Sequence, residues 1–175
     1  MKKNLVIAID GPAASGKSTL AQYLKRELDA SVFHMDDYFL PLKMKTTERL
    51  MTPGGNVHYE RMQDEILSHL KSDLIQYQRY NCMTLQLEQP INESIKKYVV
   101  IEGVYSQQKK LREYYDFCIY TDISKNEQFK RLEIRNPKLL DKFINEWLPQ
   151  EDNYFSKEDI RNNSDYQLLL KNNDK

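Results

Sequence analysis

Eight residues, Gly11-Pro12-Ala13-Ala14-Ser15-Gly16-Lys17-Ser18, carry the spacing G-x-x-x-x-G-K-[ST]. They follow an apolar run, Leu5-Val6-Ile7-Ala8-Ile9, and precede leucines spaced four apart at Leu20, Leu24 and Leu28. The apolar run reads as a buried strand and the leucine spacing as one face of a helix. A strand, a glycine-containing turn and a helix start, in that order, bring free backbone N–H groups to the place where phosphate oxygens bind. Gly11 and Gly16 let the backbone turn tightly and lie close to the ligand. Ala13, Ala14, Ser15 and Thr19 complete the expected cradle. Lys17 supplies a mobile positive charge for the β and γ phosphates, and the Ser18 hydroxyl is an oxygen donor of the kind Mg²⁺ takes. The motif therefore implies a nucleoside triphosphate, ATP or GTP, held with Mg²⁺.

The rest of the chain narrows the class. At 175 residues it has room for one domain with a full core and not for two. Lys and Arg number 26 and so do Asp and Glu, so no global positive field draws in nucleic acid or an anionic membrane. The apolar runs fall far short of a membrane span, and the stretch after Lys2-Lys3 is too short for a signal peptide, which points to the cytosol. Cys82 and Cys118 lack metal-ligand spacing, and no chemistry is assigned to them.

Further strands are expected at Ser31 to Met35, Tyr98 to Ile101 and Phe117 to Tyr120, with helical or irregular sequence between them. That alternation predicts an α/β fold, a parallel sheet covered on both faces. Two segments, residues 74–80 and 83–87, flank Asn81-Cys82 and read as a short hairpin appended to the main sheet. Pro41 to Val57 lacks periodicity and reads as a functional loop, and Leu168-Leu169-Leu170 as a last strand or helix end.

A phosphate loop alone does not separate motors, switches, transporters and kinases, so other carboxylates and arginines must decide. His34-Met35-Asp36-Asp37-Tyr38-Phe39 falls just beyond the second expected strand, at the carboxyl edge where parallel sheets bind ligands. A carboxylate there can orient an acceptor hydroxyl and take its proton, which makes Asp36 the candidate base. In an extended segment Asp36 and Asp37 would point opposite ways. Val99-Val100-Ile101-Glu102-Gly103 ends a strand in a carboxylate at the same edge, so Glu102 is a candidate to hold the metal through water. From Lys125 to Lys142, six basic residues face three acidic ones, and Arg131 and Arg135, four apart, share one helix face as a lid over the transferring phosphate.

Taken together these residues resemble the bacterial uridine kinase-like group, with its uridine kinase, phosphoribulokinase and nicotinamide riboside kinase relatives. The resemblance runs through Gly11 to Ser18, His34 to Phe39, Thr52-Pro53-Gly54-Gly55-Asn56-Val57-His58-Tyr59-Glu60-Arg61, Ile101-Glu102-Gly103-Val104-Tyr105-Ser106 and Asn145-Glu146-Trp147-Leu148-Pro149. It implies a P-loop NTPase fold, three layers with a five-stranded mainly parallel sheet, a hairpin and a helical lid at about 124–142. It also implies a kinase with Lys17, Asp36, Arg131 and Arg135 in catalysis, and Ser18 and Glu102 on the metal.

The acceptor side would come from residues 41–88, with Asp37, Tyr38, Asn56, His58, Tyr59, Tyr77 and Arg79 meeting the substrate. The chain departs from its relatives by placing His58 where they tend to have an aspartate. The expected reaction is γ-phosphoryl transfer to a primary hydroxyl, led by the 5′-hydroxyl of uridine or cytidine. Nicotinamide riboside, pantothenate or a similar alcohol is the alternative acceptor. The alternative from another class is a non-catalytic nucleotide-binding or switch protein. Against it, no Asn-Lys-x-Asp occurs to read guanine and no Leu-Ser-Gly-Gly-Gln to complete a transporter site. A homo-oligomer is admitted and not specified.

Overall fold

Alternate residues of the predicted strands go to opposite sides of one sheet. Val6, Phe33, Val99 and Ile101 belong to one apolar cluster, and Ile7, Ile9, Val32 and Val100 to another. A computed structural model describes residues 4–169. Its strands, in chain order, are β1 (Leu5–Asp10), β2 (Ser31–His34), β3 (Leu74–Tyr77), β4 (Tyr80–Asn81), β5 (Gln86–Leu87), β6 (Ile91–Ser94), β7 (Tyr98–Glu102), β8 (Phe117–Asp122) and β9 (Tyr166–Leu169). The central sheet has the order β2-β7-β1-β8-β9 with every pairing parallel. A sheet of this kind must be covered on both faces, which explains strands that are apolar nearly throughout. Each fully buried Ile or Val adds roughly 1.5–3 kcal/mol of hydrophobic stabilisation.

The helices are α1 (Lys17–Leu28), α2 (Thr47–Met51), α3 (Tyr59–Glu65), α4 (Lys125–Arg135), α5 (Leu140–Lys142), α6 (Leu148–Lys157) and α7 (Ile160–Asn163). Helix α1 lays Leu20, Leu24 and Leu28 against the Ile7, Ile9 and Val100 face, as the leucine spacing predicts. Tyr154 of α6 and Met62 of α3 pack into the other cluster. No helix among the described residues is long and apolar enough to cross a membrane.

Several expectations need correction. The second strand stops at His34, because Met35–Tyr38 winds into a 3-10 turn and is not extended. The hairpin is longer and turns later than expected. The Asn81 side chain accepts the N–H groups of Met83 (2.9 Å) and Thr84 (3.0 Å), and Leu85 takes a left-handed φ of 58°. That side-chain turn uses up residues 82–85, so β4 pairs with β5 across it and β3 finds its partner in β6. The segment Pro41 to Val57 is not featureless either. It holds a 3-10 turn at Leu42–Met44 and helix α2, whose Thr46 cap accepts from Arg49 N. Its two ends are tied by Leu40 N to Asn56 O (2.9 Å) and His58 N to Tyr38 O (2.6 Å). The last leucine run forms β9 up to Leu169. Leu170 and Lys2-Lys3 lie outside the described residues.

Candidate active site

The phosphate loop forms between β1 and α1, with positive φ at Gly11 (144°), Ala14 (61°) and Gly16 (102°). A side chain at Gly11 would put its Cβ 2.2 Å from the Thr121 carbonyl oxygen, so only glycine lets β1 turn here beside β8. Lys17 is nearly buried, and its ammonium donates to the carbonyls of Gly11 (2.8 Å) and Pro12 (2.9 Å). Ser15 is buried with its hydroxyl 2.5 Å from that of Thr121. From the lid side, Arg131 donates to Ala14 O (3.1 Å) while bound to Glu127 (2.8 Å), and Gln128 donates to Ala13 O (3.1 Å). Ser18 and Thr19 open onto a solvent-exposed groove along α1.

Parallel register brings three chemical groups to the carboxyl edge. His34 on β2 and Glu102 on β7 are register partners, and the Glu102 carboxylate bonds the His34 ring Nδ1. This bond raises the imidazole above its usual range, against the lowering effect of burial. Both Glu102 oxygens stand 3.3 Å from the Ser18 hydroxyl. An exposed hydroxyl facing a nearly buried carboxylate is an oxygen donor set that suits a hard divalent cation, so Ser18 and Glu102 fit Mg²⁺. Gly103 follows with φ 136°, and a Cβ there would lie 2.8 Å from Met35 Cβ. The missing side chain therefore lets the Asp36 turn approach the end of β7.

Asp36 is open to solvent, yet the protein packed around it raises its carboxyl above the ordinary range. Lys17, His34 and Arg135 oppose that rise and Glu102 reinforces it. Asp36 thus shares its electrostatic surroundings with Lys17 of the loop and Arg135 of α4. Asp37 faces elsewhere, 3.4 Å from the Arg79 guanidinium of the hairpin.

The aromatic part of the expected acceptor site is otherwise employed. Tyr38 is fully buried with Arg61 over its ring at 4.7 Å. Tyr77 is 4% exposed, edge-on to Phe33 at 5.4 Å. Core packing has taken the surfaces of both rings. Tyr59 has Arg49 at 4.4 Å and Lys110 at 4.3 Å from its ring centroid, so cations already occupy the ring that a base would stack on. His58 precedes α3 with its ring Nδ1 buried and without a hydrogen-bond partner, and burial lowers its pKa. Asn56 reaches the hydroxyl of Tyr105. These two residues line, with Thr52, Gln150 and Asn153, a small polar cavity of about 20 Å³, enough for one water-sized group.

Sequence reading missed four residues of this centre. Asp10 is fully buried, and its carboxylate accepts from Gly11 N (2.7 Å), Gln107 N (2.9 Å) and the Tyr154 hydroxyl (2.7 Å). Burial pushes its pKa up to about 6 against the pull of those bonds. Glu151 is 5% exposed and accepts the Ala13 N–H at 2.9 Å, with burial raising its pKa to about 7. Tyr105 holds a left-handed φ of 74° with its ring 4.9 Å from Tyr154. A bulky side chain in that conformation is strained, and such strain gathers at functional sites. Asp10 had a local signal, a carboxylate closing an apolar strand just ahead of the loop. Tyr105 lay within the Ile101 to Ser106 segment of the resemblance without a role assigned to it, and Glu151 and Tyr154 had no signal.

The parallel five-stranded sheet, with the loop between β1 and α1 at its carboxyl edge, has the fold of the phosphate-loop kinases. Over 96% of this chain and 90% of the other, the structure is similar to one described as a possible uridine kinase from Bacillus stearothermophilus, with 26% identity and a TM-score of 0.73. A Silicibacter sp. TM1040 protein, provisionally described as a fructose transport system kinase, matches 95% of this chain and 90% of its own. Its identity is 19% and its TM-score 0.71, a likeness of fold alone. A cytidylate kinase from Desulfitobacterium hafniense (strain Y51) is 58% identical over 36 residues, which span 21% of this chain and 15% of that protein. No family model matches the chain.

Proposed function

We propose that this protein is an ATP-dependent kinase that moves the γ-phosphoryl group to a primary hydroxyl of a small molecule, with the 5′-hydroxyl of uridine or cytidine as the leading acceptor. The observation that carries the reading is the position of Asp36, a solvent-accessible carboxylate under the charge of Lys17 and Arg135 at the carboxyl edge of the sheet. A group so placed can accept hydrogen from the attacking hydroxyl and take its proton as the bond to phosphorus forms. Lys17 exchanges the Gly11 and Pro12 carbonyls for phosphate oxygens. Arg131 and Arg135 close the charge on the lid side, stabilising negative charge as it spreads over the phosphoryl oxygens. Mg²⁺, bound at Ser18 and through water at Glu102, would neutralise charge between the phosphates. The resemblance to the uridine kinase-like group supports the nucleoside acceptor.

A second reading keeps the chemistry and replaces uridine or cytidine with another small alcohol, such as nicotinamide riboside or pantothenate. It is favoured by the engaged rings of Tyr59 and Tyr77, which leave no free face for a pyrimidine to stack on. An acceptor panel followed by ADP release separates the two. Uridine or cytidine should raise release well above the acceptor-free background. If uridine and cytidine do nothing while nicotinamide riboside, pantothenate or a sugar alcohol does, the pyrimidine nucleoside reading is wrong and the second stands.

A further inference from the structure

The phosphate loop is built to give its N–H groups to anions, and one of them is already taken from within the chain. Ala13 N donates to Oε2 of Glu151, which sits on α6 and is separated from it by 138 positions in sequence. Lys17 rests on the carbonyls of Gly11 and Pro12, beside Ala13, and its charge acts on Glu151. The lysine that meets the terminal phosphates and the carboxylate on Ala13 thus stand at the same end of the loop. A γ-phosphate arriving there brings a second anion to a group that has almost no solvent to shield it.

Glu151 has little freedom to leave. It is 5% exposed, and three residues further along the same helix the Tyr154 hydroxyl is bonded to Asp10 at 2.7 Å. Movement of the carboxylate away from the loop therefore pulls against a buried anchor. A proton is the cheaper adjustment, because it removes the repulsion and turns one carboxylate oxygen into an O–H donor toward phosphate.

We propose that Glu151 senses the γ-phosphate: it holds Ala13 N–H as a carboxylate in the nucleotide-free loop and takes one proton from solvent when a triphosphate binds, so that one proton distinguishes triphosphate from diphosphate. This rests on the phosphate-loop kinase reading above. The groups around Glu151 fit the role. Asp10 on β1 and Asp152 on its own helix disfavour its charge, and Lys17 at the start of α1 favours it. Asp152 is itself exposed and paired with Lys125 at 2.6 Å. Arg131 on α4 is directed to Ala14 O, and Tyr105 lies within reach of the Glu151 charge. Burial already holds the Glu151 carboxyl near neutrality, pushed up to about 7, so uptake of close to one proton at about pH 8 requires the γ-phosphate to raise its proton affinity by a further factor of about 100.

The test is titration calorimetry of MgATP and MgADP at about pH 8 in two buffers that differ in ionisation enthalpy. Wild-type protein should take up close to one proton with MgATP and almost none with MgADP, a contrast that needs no variant. Glu151→Gln, checked for an intact fold by its thermal transition, should bind MgATP with no uptake. Wild-type affinity should fall by up to about tenfold per pH unit above neutrality while that of the variant stays level. Equal uptake for ATP and ADP, or for wild type and variant, overturns the role of Glu151 and leaves the kinase reading standing. Failure of the wild type to bind MgATP at all overturns both.

Discussion

At the residue scale, buried carboxylates at the end of β1 and β7 do different work although they look alike in sequence. Glu102 faces the exposed hydroxyl of Ser18, whereas Asp10 is saturated by three donors from the loop, the segment after β7 and α6. Asp10→Asn turns one acceptor atom into a donor that points at another donor. It should lower stability by about 1–3 kcal/mol, read as a drop in the urea midpoint with an unchanged slope. A midpoint equal to that of wild type would show that the three bonds do not brace the loop. The placement of Gly11, Lys17 and Ser18 at one strand-to-helix turn was legible because they lie within eight consecutive positions of fixed spacing. Asp36 was legible because it follows a recognisable strand. The occupied rings of Tyr59 and Tyr77 were not, since the partners Lys110 and Phe33 are remote in sequence and sequence reports an aromatic residue without its neighbours.

At the scale of elements, α6 is the part of the fold that the sequence concealed most. Its carboxylate and its tyrosine clasp the loop from the far end of the chain, and no periodicity can announce such a contact. The central strands were legible because parallel strands buried on both faces are continuous apolar runs. The hairpin register was misread because a side chain, Asn81, sets its turn. Helix α6 yields a pH prediction. The folded pKa of Glu151, about 7, lies above the ordinary value of 4.5, so the folded state holds a proton that the unfolded chain releases. Its contribution to stability is therefore present below about 4.5 and lost as pH rises to about 7. Glu151→Gln cannot ionise, so the melting temperature of the variant minus that of wild type should grow across this window, by an amount corresponding to at most roughly 3 kcal/mol. A difference that is flat with pH would refute a buried, ionising Glu151. The lid makes a second prediction. Arg135 lowers the Asp36 pKa, so Arg135→Ala should move the acidic limb of the kcat/KM profile to higher pH and reduce kcat by about a hundredfold or more. An unmoved acidic limb would separate Arg135 from Asp36.

At the scale of the whole molecule, the five-stranded parallel sheet sets the donor apparatus at one edge. The loop, Glu102 and Asp36 all emerge from carboxyl ends of neighbouring strands. The proposed acceptor side is assembled differently, from residues 41–58 and the hairpin, which meet only in three dimensions. This division explains why the strands and the loop could be placed from the sequence in detail while the neighbours of residues 41–58 and of the hairpin could not. The central claim is that Asp36 activates an acceptor hydroxyl at a phosphate loop, and acceptor-dependent ADP formation by wild type and Asp36→Asn, with MgATP binding measured alongside, tests it most directly. The account predicts MgATP affinity within a few fold of wild type and turnover lower by about a hundredfold or more in the variant. Turnover by Asp36→Asn at the wild-type rate would contradict it.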